Sequence, residues 1–464
     1  MAGIAGITNT KEHLKIKGMN QRMSHRGREH HKSIEASGTL LQAVWNDVEA
    51  SPAPLPLQNQ AVWDGVSMPL PEMKFIANHE TPFALAAITD EGVLLARDRL
   101  GVKPLYYGES AGSLAFASEV KTLLAVTRDV HEFPPGCMYT PANGFTPFAT
   151  IKSETLPYQG VKKIASELRL RLEQAIIRRI VAPEMGSWLS GGLDSSAIAA
   201  LAKPYVRTLH SFVSGVSGAS DLEYGRQMAE FLGTQHHELI VTLEDMLVAL
   251  PKVIYHLESF DALLVRSSVT NYLTAQMASD YVGAVFSGEG GDELFAGYDY
   301  IKKRVPVEKI PAELEDIIKR LHNTALQRVD RCSQACGIVA LVPFADPEVL
   351  DYALRIPAKY KVYRGGELPV EKWILRKAVE DILPDSILWR PKSKFWQGAG
   401  VENLLAQHAN DKISDADFTQ ERLLPNGWQL NSKEELLYYR IFKEHFGELH
   451  NLEWMGRTKG APVH

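Results

Sequence analysis

Two glycine-containing loops hold most of the side chains that could do chemistry. The first, WLSGGLDSSAIAA at residues 188–200, leaves an apolar stretch through Ser-Gly-Gly and enters a helix-forming run directly. Gly191 and Gly192 carry no side chain, so their backbone N–H groups can close on an anion, and the following helix points its positive end at the same place. Ser190 and Ser195 add hydroxyl donors, and Asp194 is placed to hold a magnesium ion between phosphate oxygens. A bare Gly-Gly needs nothing more than a tight strand-to-helix turn, but Ser-Gly-Gly-x-Asp-Ser in this setting points to phosphate. The GxxxxGK[ST] pattern of a Walker loop is absent.

The second loop, AVFSGEGGDELFAGY at residues 284–298, again ends a strand in glycines but carries Glu289, Asp292 and Glu293. Asp292 could face Asp194 across a metal ion, and Glu289 could remove a proton from an attacking amine. The competing explanation is an acidic helix start, which the helix dipole favours without any ligand.

These loops need a scaffold. SWLS, HSFVSGV, HHELIV and GAVFSG read as strands, with helical segments such as DLEYGRQMAEFLG between them, an order that predicts a parallel sheet flanked by helices. Ile164, Leu168, Leu172 and Ile176 recur at helical spacing. Further on, SKEELLYYRIFKEHFG reads as a helix with a capping box from Ser432 and Glu435. Upstream, Leu40 to Trp45, Phe83 to Ile88 and Gly92 to Ala96 are short apolar runs suited to an antiparallel sheet domain. Pro52 to Pro71 reads as an irregular connector, and KSETLPYQG at 152–160 as the break between domains 1–155 and 156–464.

Composition narrows the classes. The chain has 464 residues, 45% hydrophobic and 23% charged, with a formal net charge of -6, which offers no basic field for a nucleic acid. Cys137, Cys332 and Cys336 are too few for a disulfide framework and lack zinc-site spacing; the last two read as buried helical neighbours. No long apolar run or targeting segment is present, so the expected location is cytoplasmic, with no membrane or nucleic-acid partner.

The first loop resembles the pyrophosphatase-type loop of enzymes that cleave ATP to AMP and pyrophosphate while adenylating an oxygen of their substrate. Together the two loops resemble the synthetase half of asparagine synthetase. So do VIYHLESFD, ALVPFADPEVLDYALRIP, EKWILRKAV and WRPKSKFWQGAG. The resemblance implies that Asp194 and Asp292 hold magnesium and pyrophosphate. It places Leu189, Ser190, Gly191, Gly192, Ser195 and Gly288 around the ATP phosphates, with Val213 and Ser287 near the adenosine. Glu289 matches the family's acidic residue between two glycines, and Lys392 the lysine of its R-x-K-x-x-F motif, which could stabilise developing negative charge. Related enzymes that close β-lactam rings are known for a tyrosine at the position of Glu289.

Two departures from the family are specific. Its Asp-x-Thr-Thr-x-Arg acceptor motif appears as Asp261 to Arg266 with Leu263 and Leu264 in place of hydroxyls, so a small polar acid loses hydrogen bonds there. Alternatively the leucines simply pack and leave aspartate to Arg266. At the amino terminus, MAGIAGI resembles class II glutamine amidotransferases, in which Met is removed and Cys becomes the nucleophile. This chain has Ala2, whose methyl group cannot attack an amide. HRG at 25–27, LLARDRLGVKPLYYG and FASEVKTLL keep the domain's look, whereas its Asn-Gly-Glu segment for glutamine is missing.

The expected protein is therefore α/β: a degenerate amino-terminal antiparallel β-sandwich, then a parallel-sheet ATP-pyrophosphatase domain ending in helices. Its expected activity is ATP- and magnesium-dependent amide formation, with AMP released, between an acid other than free aspartate and ammonia or another amine. An ammonia-dependent asparagine synthetase, a ring-closing lactam synthetase and an inactive ATP-binding scaffold remain alternatives. A tRNA-modifying enzyme with this loop would show a basic face. A homodimer is expected by resemblance alone.

Overall fold

A computed structural model describes residues 2–9, 13–46, 60–66, 73–151, 159–391 and 395–458. Short alternating runs in the amino-terminal part pair into two antiparallel sheets. One has the order His30–Ala36, Thr39–Trp45, Ala2–Thr8, Ser113–Ala117, Tyr106–Ser110 and His131–Glu132; the other runs Gly144–Pro147, Cys137–Thr140, Gly92–Arg97, Phe83–Thr89 and Ala61–Gly65. Ile4, Leu41, Ala43 and Phe116 of the first sheet meet Val62, Ala84, Ala86 and Leu95 of the second in one core, which makes a sandwich.

The stretch from Pro52 to Pro71 is not irregular throughout. Ala61–Gly65 is the edge strand of the second sheet, and its Trp63 and Asp64 are buried. A charged residue inside a five-residue strand hides its period; Asp64 is tolerated there because Arg26 pairs with it at 2.9 Å. Residues 52–59 and 67–71 of that stretch, and 152–158 of the break at 152–160, lie outside the described residues.

In the carboxy-terminal part, Gln235–Ile240, Thr208–Gly215, Glu184–Trp188, Ala284–Phe286 and Val339–Leu341 form one sheet in that order, every neighbouring pair parallel. The helix Val161–Ile177 buries Ile164, Leu168, Leu172 and Ile176 completely. Each such side chain contributes about 1.5–3 kcal/mol by leaving water, and a charge at Leu168 would break that face. The first parallel strand ends at Trp188, two residues before the expected end, which frees Leu189 and Ser190 for the loop. In the helix Lys433–Phe446 the capping box is half made. Ser432 accepts from the Glu435 N–H at 3.1 Å, but Glu435 reaches back one residue too far, to the Asn431 N–H at 2.7 Å. No described helix is long and apolar enough to cross a membrane.

Candidate active site

Both chemical loops leave the carboxyl ends of adjacent parallel strands, Glu184–Trp188 and Ala284–Phe286, where an open α/β sheet leaves a crevice. Gly192 caps the helix Leu193–Ala202, putting Asp194 in its first turn. Gly191 has φ +66°, and a Cβ there would lie 2.4 Å from Tyr224, so this turn admits only glycine. Ser190 Oγ lies 3.3 Å from both Ser195 Oγ and the Gly192 N–H, keeping the two hydroxyls together at the helix start. The second loop comes so close that a Cβ on Gly288 would meet Ser195 N at 2.7 Å. Val213, on the strand beside the first loop, and Ser287, directly after the strand Ala284–Phe286, are both buried at this edge.

The contact between the loops runs through a cation. Lys372 is 3% exposed; its ammonium lies 2.5 Å from Asp292 Oδ1 and also binds Asp194 Oδ2. Burial works against that charge, yet the two aspartates outweigh it and push the Lys372 pKa above its ordinary value. Asp194 and Asp292 thus share one positive charge. Two carboxylates converging on one cation are a donor set that would suit magnesium, which is bound through one or two carboxylates together with phosphate and water oxygens.

Around this centre Glu289 pairs with Arg328 of the buried helix Ala325–Ala335. Glu293 is 1% exposed, accepts a hydrogen bond from the Tyr298 hydroxyl, and is pushed up to about 7 by burial and by Glu289 and Asp292. Arg390 braces the first loop: it donates to Ser190 O at 2.8 Å, pairs with Asp221 at 2.6 Å and lies over the Tyr224 ring at 4.1 Å.

Lys372 and Arg328 carry no local motif of their own, and Arg390 is the arginine of the R-x-K-x-x-F motif in which only the lysine drew a role from sequence. The signal available was position: Lys372 lies in EKWILRKAV and Arg390 in WRPKSKF, two of the segments that carry the family resemblance. Lys392 lies outside the described residues.

The acceptor candidates divide. Asp261 caps the helix Ala262–Ala278 by accepting from the Leu264 N–H at 3.0 Å. Leu264 is 4% exposed in a hydrophobic core, while Leu263 is half-buried. Arg266 is already engaged, with Glu434 at 2.5 Å. Helix Ala262–Ala278 runs parallel to Ala325–Ala335, since Cys332 donates to Ser268 O and Cys336 to Tyr272 O, both 64 residues apart. The same offset sets Leu264 level with Arg328.

At the amino terminus Ala2 is 1% exposed and its N–H donates to Asp64 Oδ1 at 3.3 Å. Arg26, from the HRG segment, is fully buried and binds Asp64, Glu119 and Asp330.

The asparagine synthase family profile matches residues 167–316 and 307–459, more than half of the chain. The chain belongs to the asparagine synthase family. A glutamine amidotransferase domain profile matches residues 74–179. Asparagine synthetase [glutamine-hydrolyzing] 2 of Arabidopsis thaliana is 34% identical over 390 residues, 78% of this chain and 66% of that protein. Asparagine synthetase B [glutamine-hydrolyzing] of Escherichia coli (strain K12) is 35% identical over 390 residues, 78% of this chain and 69% of that protein. The chain thus spans about two thirds of the length of the curated relatives it matches. Among solved structures, NMN synthetase from Francisella tularensis aligns over 64% of this chain and 98% of that one, at 12% identity and TM-score 0.30.

Proposed function

We propose that this asparagine synthase family member is an ATP-dependent, AMP-forming carbon–nitrogen ligase that draws its amine from free ammonia or a separate amine and does not hydrolyse glutamine. The observation that carries the reading is the convergence of Asp194 and Asp292 on the Lys372 ammonium at the helix start Gly192 to Ser195. The substrate carboxylate attacks the α-phosphorus of ATP, the bond to the β-phosphate oxygen breaks, and pyrophosphate leaves with the electron pair. The amine then attacks the acyl carbon, loses a proton and displaces AMP.

Each residue has a task in this scheme. Ser190, Ser195 and the backbone N–H groups of Gly191 and Gly192 bind the phosphates, with Leu189 and Gly288 shaping the loop and Val213 and Ser287 beside the adenosine. Asp194 and Asp292 would hold magnesium, which would supply charge neutralisation for the phosphate oxygens. Lys372 orients the same oxygens, and Lys392 is assigned to the second step. Glu289, steered by Arg328, receives the amine proton. Ala2 offers no nucleophile, and Arg26, which lies next to it, is bound to three carboxylates.

The preferred acid is larger or less polar than aspartate, because Leu263 and Leu264 stand where the family has hydroxyls. A second reading, aspartate plus ammonia, is favoured by the burial of Leu264, which packs into a core and leaves the acceptor side open to a small acid. The test is pyrophosphate release from magnesium ATP across a panel of carboxylic acids including aspartate, each with and without ammonium, with glutamine as a control and Asp194→Ala as the blank. Release with another acid and silence with aspartate supports the first reading; asparagine from aspartate and ammonium establishes the second. Glutamate production from glutamine would overturn the loss of glutaminase activity.

A further inference from the structure

A cluster of eight buried charged residues lies outside the candidate site, where the amino-terminal sandwich meets the helix Ala325–Ala335. The sandwich side contributes Arg26, Asp64, Lys103, Glu119 and Lys121; the other side contributes Glu258, Asp330 and Arg331. All eight are less than a tenth exposed. Asp330 is held by Arg26 at 2.9 Å and Lys103 at 3.3 Å, and Arg331 by Glu119 at 2.7 Å and Glu258 at 3.1 Å. The Arg331 guanidinium also lies 5.6 Å from the centre of the Tyr106 ring. Two residues before Asp330 on the same helix stands Arg328, the partner of Glu289.

We infer that the amino-terminal domain positions the amine-transfer site: Arg26 and Lys103 through Asp330, and Glu119 through Arg331, fix the axial position and rotation of this helix so that Arg328 presents Glu289. The inference rests on the role proposed for Glu289. It assigns Asp330 and Arg26 as positioning residues, because neither touches the reacting atoms. A single-turn helix rotation would carry Arg328 away from the acidic loop, and ion pairs on two successive residues, reaching different partners, oppose that rotation better than apolar contacts, which have no preferred direction. The electrostatics agree: burial alone would raise the Asp330 carboxyl, but Arg26 and Lys103 outweigh it and hold it below the usual range.

Asp330→Asn keeps the shape and removes the charge, leaving Arg26 with Asp64 and Glu119. The full-length variant is compared with wild type by backbone hydrogen–deuterium exchange. The expected result is exchange faster by about tenfold at residues 327–332 and in the acidic loop 287–293, with the helix Val161–Ile177 unchanged. Arg26→Met should do the same, and Arg26→Lys, which keeps the charge, should largely restore protection. With whichever acid of the panel releases pyrophosphate, and ammonium chloride as the amine, adenylation should hold while amide formation falls on the order of 10- to 100-fold. Magnesium ATP should bind both proteins alike.

Equal loosening of Val161–Ile177 would reduce the cluster to general stability and overturn the inference. Unchanged exchange in the acidic loop, or equal loss of adenylation and amide formation, overturns it as well. If no acid releases pyrophosphate, the proposed function falls, and the exchange pattern alone decides whether the interface holds the Arg328 helix and the acidic loop.

Discussion

The two buried clusters of charge on either side of the helix Ala325–Ala335 are built to opposite accounts. At the domain interface four cations, Arg26, Lys103, Lys121 and Arg331, meet four carboxylates, Asp64, Glu119, Glu258 and Asp330. At the candidate site the carboxylates Asp194, Glu289, Asp292 and Glu293 gather around one another, with Lys372 and Arg328 among their described partners. The consequence shows in single groups: Glu119 is held well below the carboxylate range by His25, Lys121 and Arg331 in spite of burial, whereas Glu293 is pushed up to about 7. A balanced cluster is complete as folded. Carboxylates gathered at the end of a parallel sheet, one of them pushed up by its neighbours, can instead serve an incoming cation, as the proposed magnesium–nucleotide site would need.

Substitutions can break that contrast, and the largest effect belongs to the candidate site. Asp292→Ala should lower pyrophosphate release with the competent acid by at least about 100-fold while leaving the thermal midpoint within a few degrees, because it removes a metal ligand and relieves like-charge repulsion. A midpoint that collapses with activity would show that this site, too, is chiefly structural.

On the balanced side the same kind of change should act on stability. Arg331→Met leaves Glu119 and Glu258 short of a partner in a site they cannot leave, and should cost about 3–5 kcal/mol in equilibrium urea unfolding. Little or no change would mean that water reaches the interface.

Protonation gives a finer probe. His25 and His256 lie against the interface cluster with both rings held below their ordinary value, His256 pushed down to about 2, chiefly by burial, then by Lys121 and His25, with Glu119 opposing. The unfolded chain binds protons on these rings as pH falls through their ordinary value of 6.5, and the folded chain binds them only at lower pH. Their contribution to stability is therefore whole above pH 6.5 and declines as pH falls below it. From His256 alone the loss should be about 2 kcal/mol between pH 6.5 and pH 5. His256→Phe should flatten this slope in urea titrations; an unchanged slope would place the titrating group elsewhere.

The smallest expected effect is none. Ala2→Cys should release no glutamate from glutamine, because Arg26 is committed to Asp64, Glu119 and Asp330 and Ala2 is 1% exposed. Measurable glutaminase activity would mean that the interface opens more readily than its charge balance suggests.

The sequence by itself determined what is local and periodic. Gly-Gly followed by Asp194 and Ser195 specified a tight strand-to-helix turn because backbone freedom and helix polarity act within a few residues. The spacing of Ile164, Leu168, Leu172 and Ile176 specified a helix face for the same reason. It also specified that Ala2 cannot be a nucleophile, since that depends on one side chain. Only the tertiary structure decided that Lys372 joins Asp194 to Asp292, that Arg328 serves Glu289, that Leu264 belongs to a core, and that Asp64 lies in a strand and binds Arg26. An ion pair leaves no period in a sequence: Arg26 and Asp330 are 304 residues apart, and Lys372 and Asp194 are 178. Which charges meet is set by how the strands and helices pack, and burial then turns each meeting from an optional contact into a requirement.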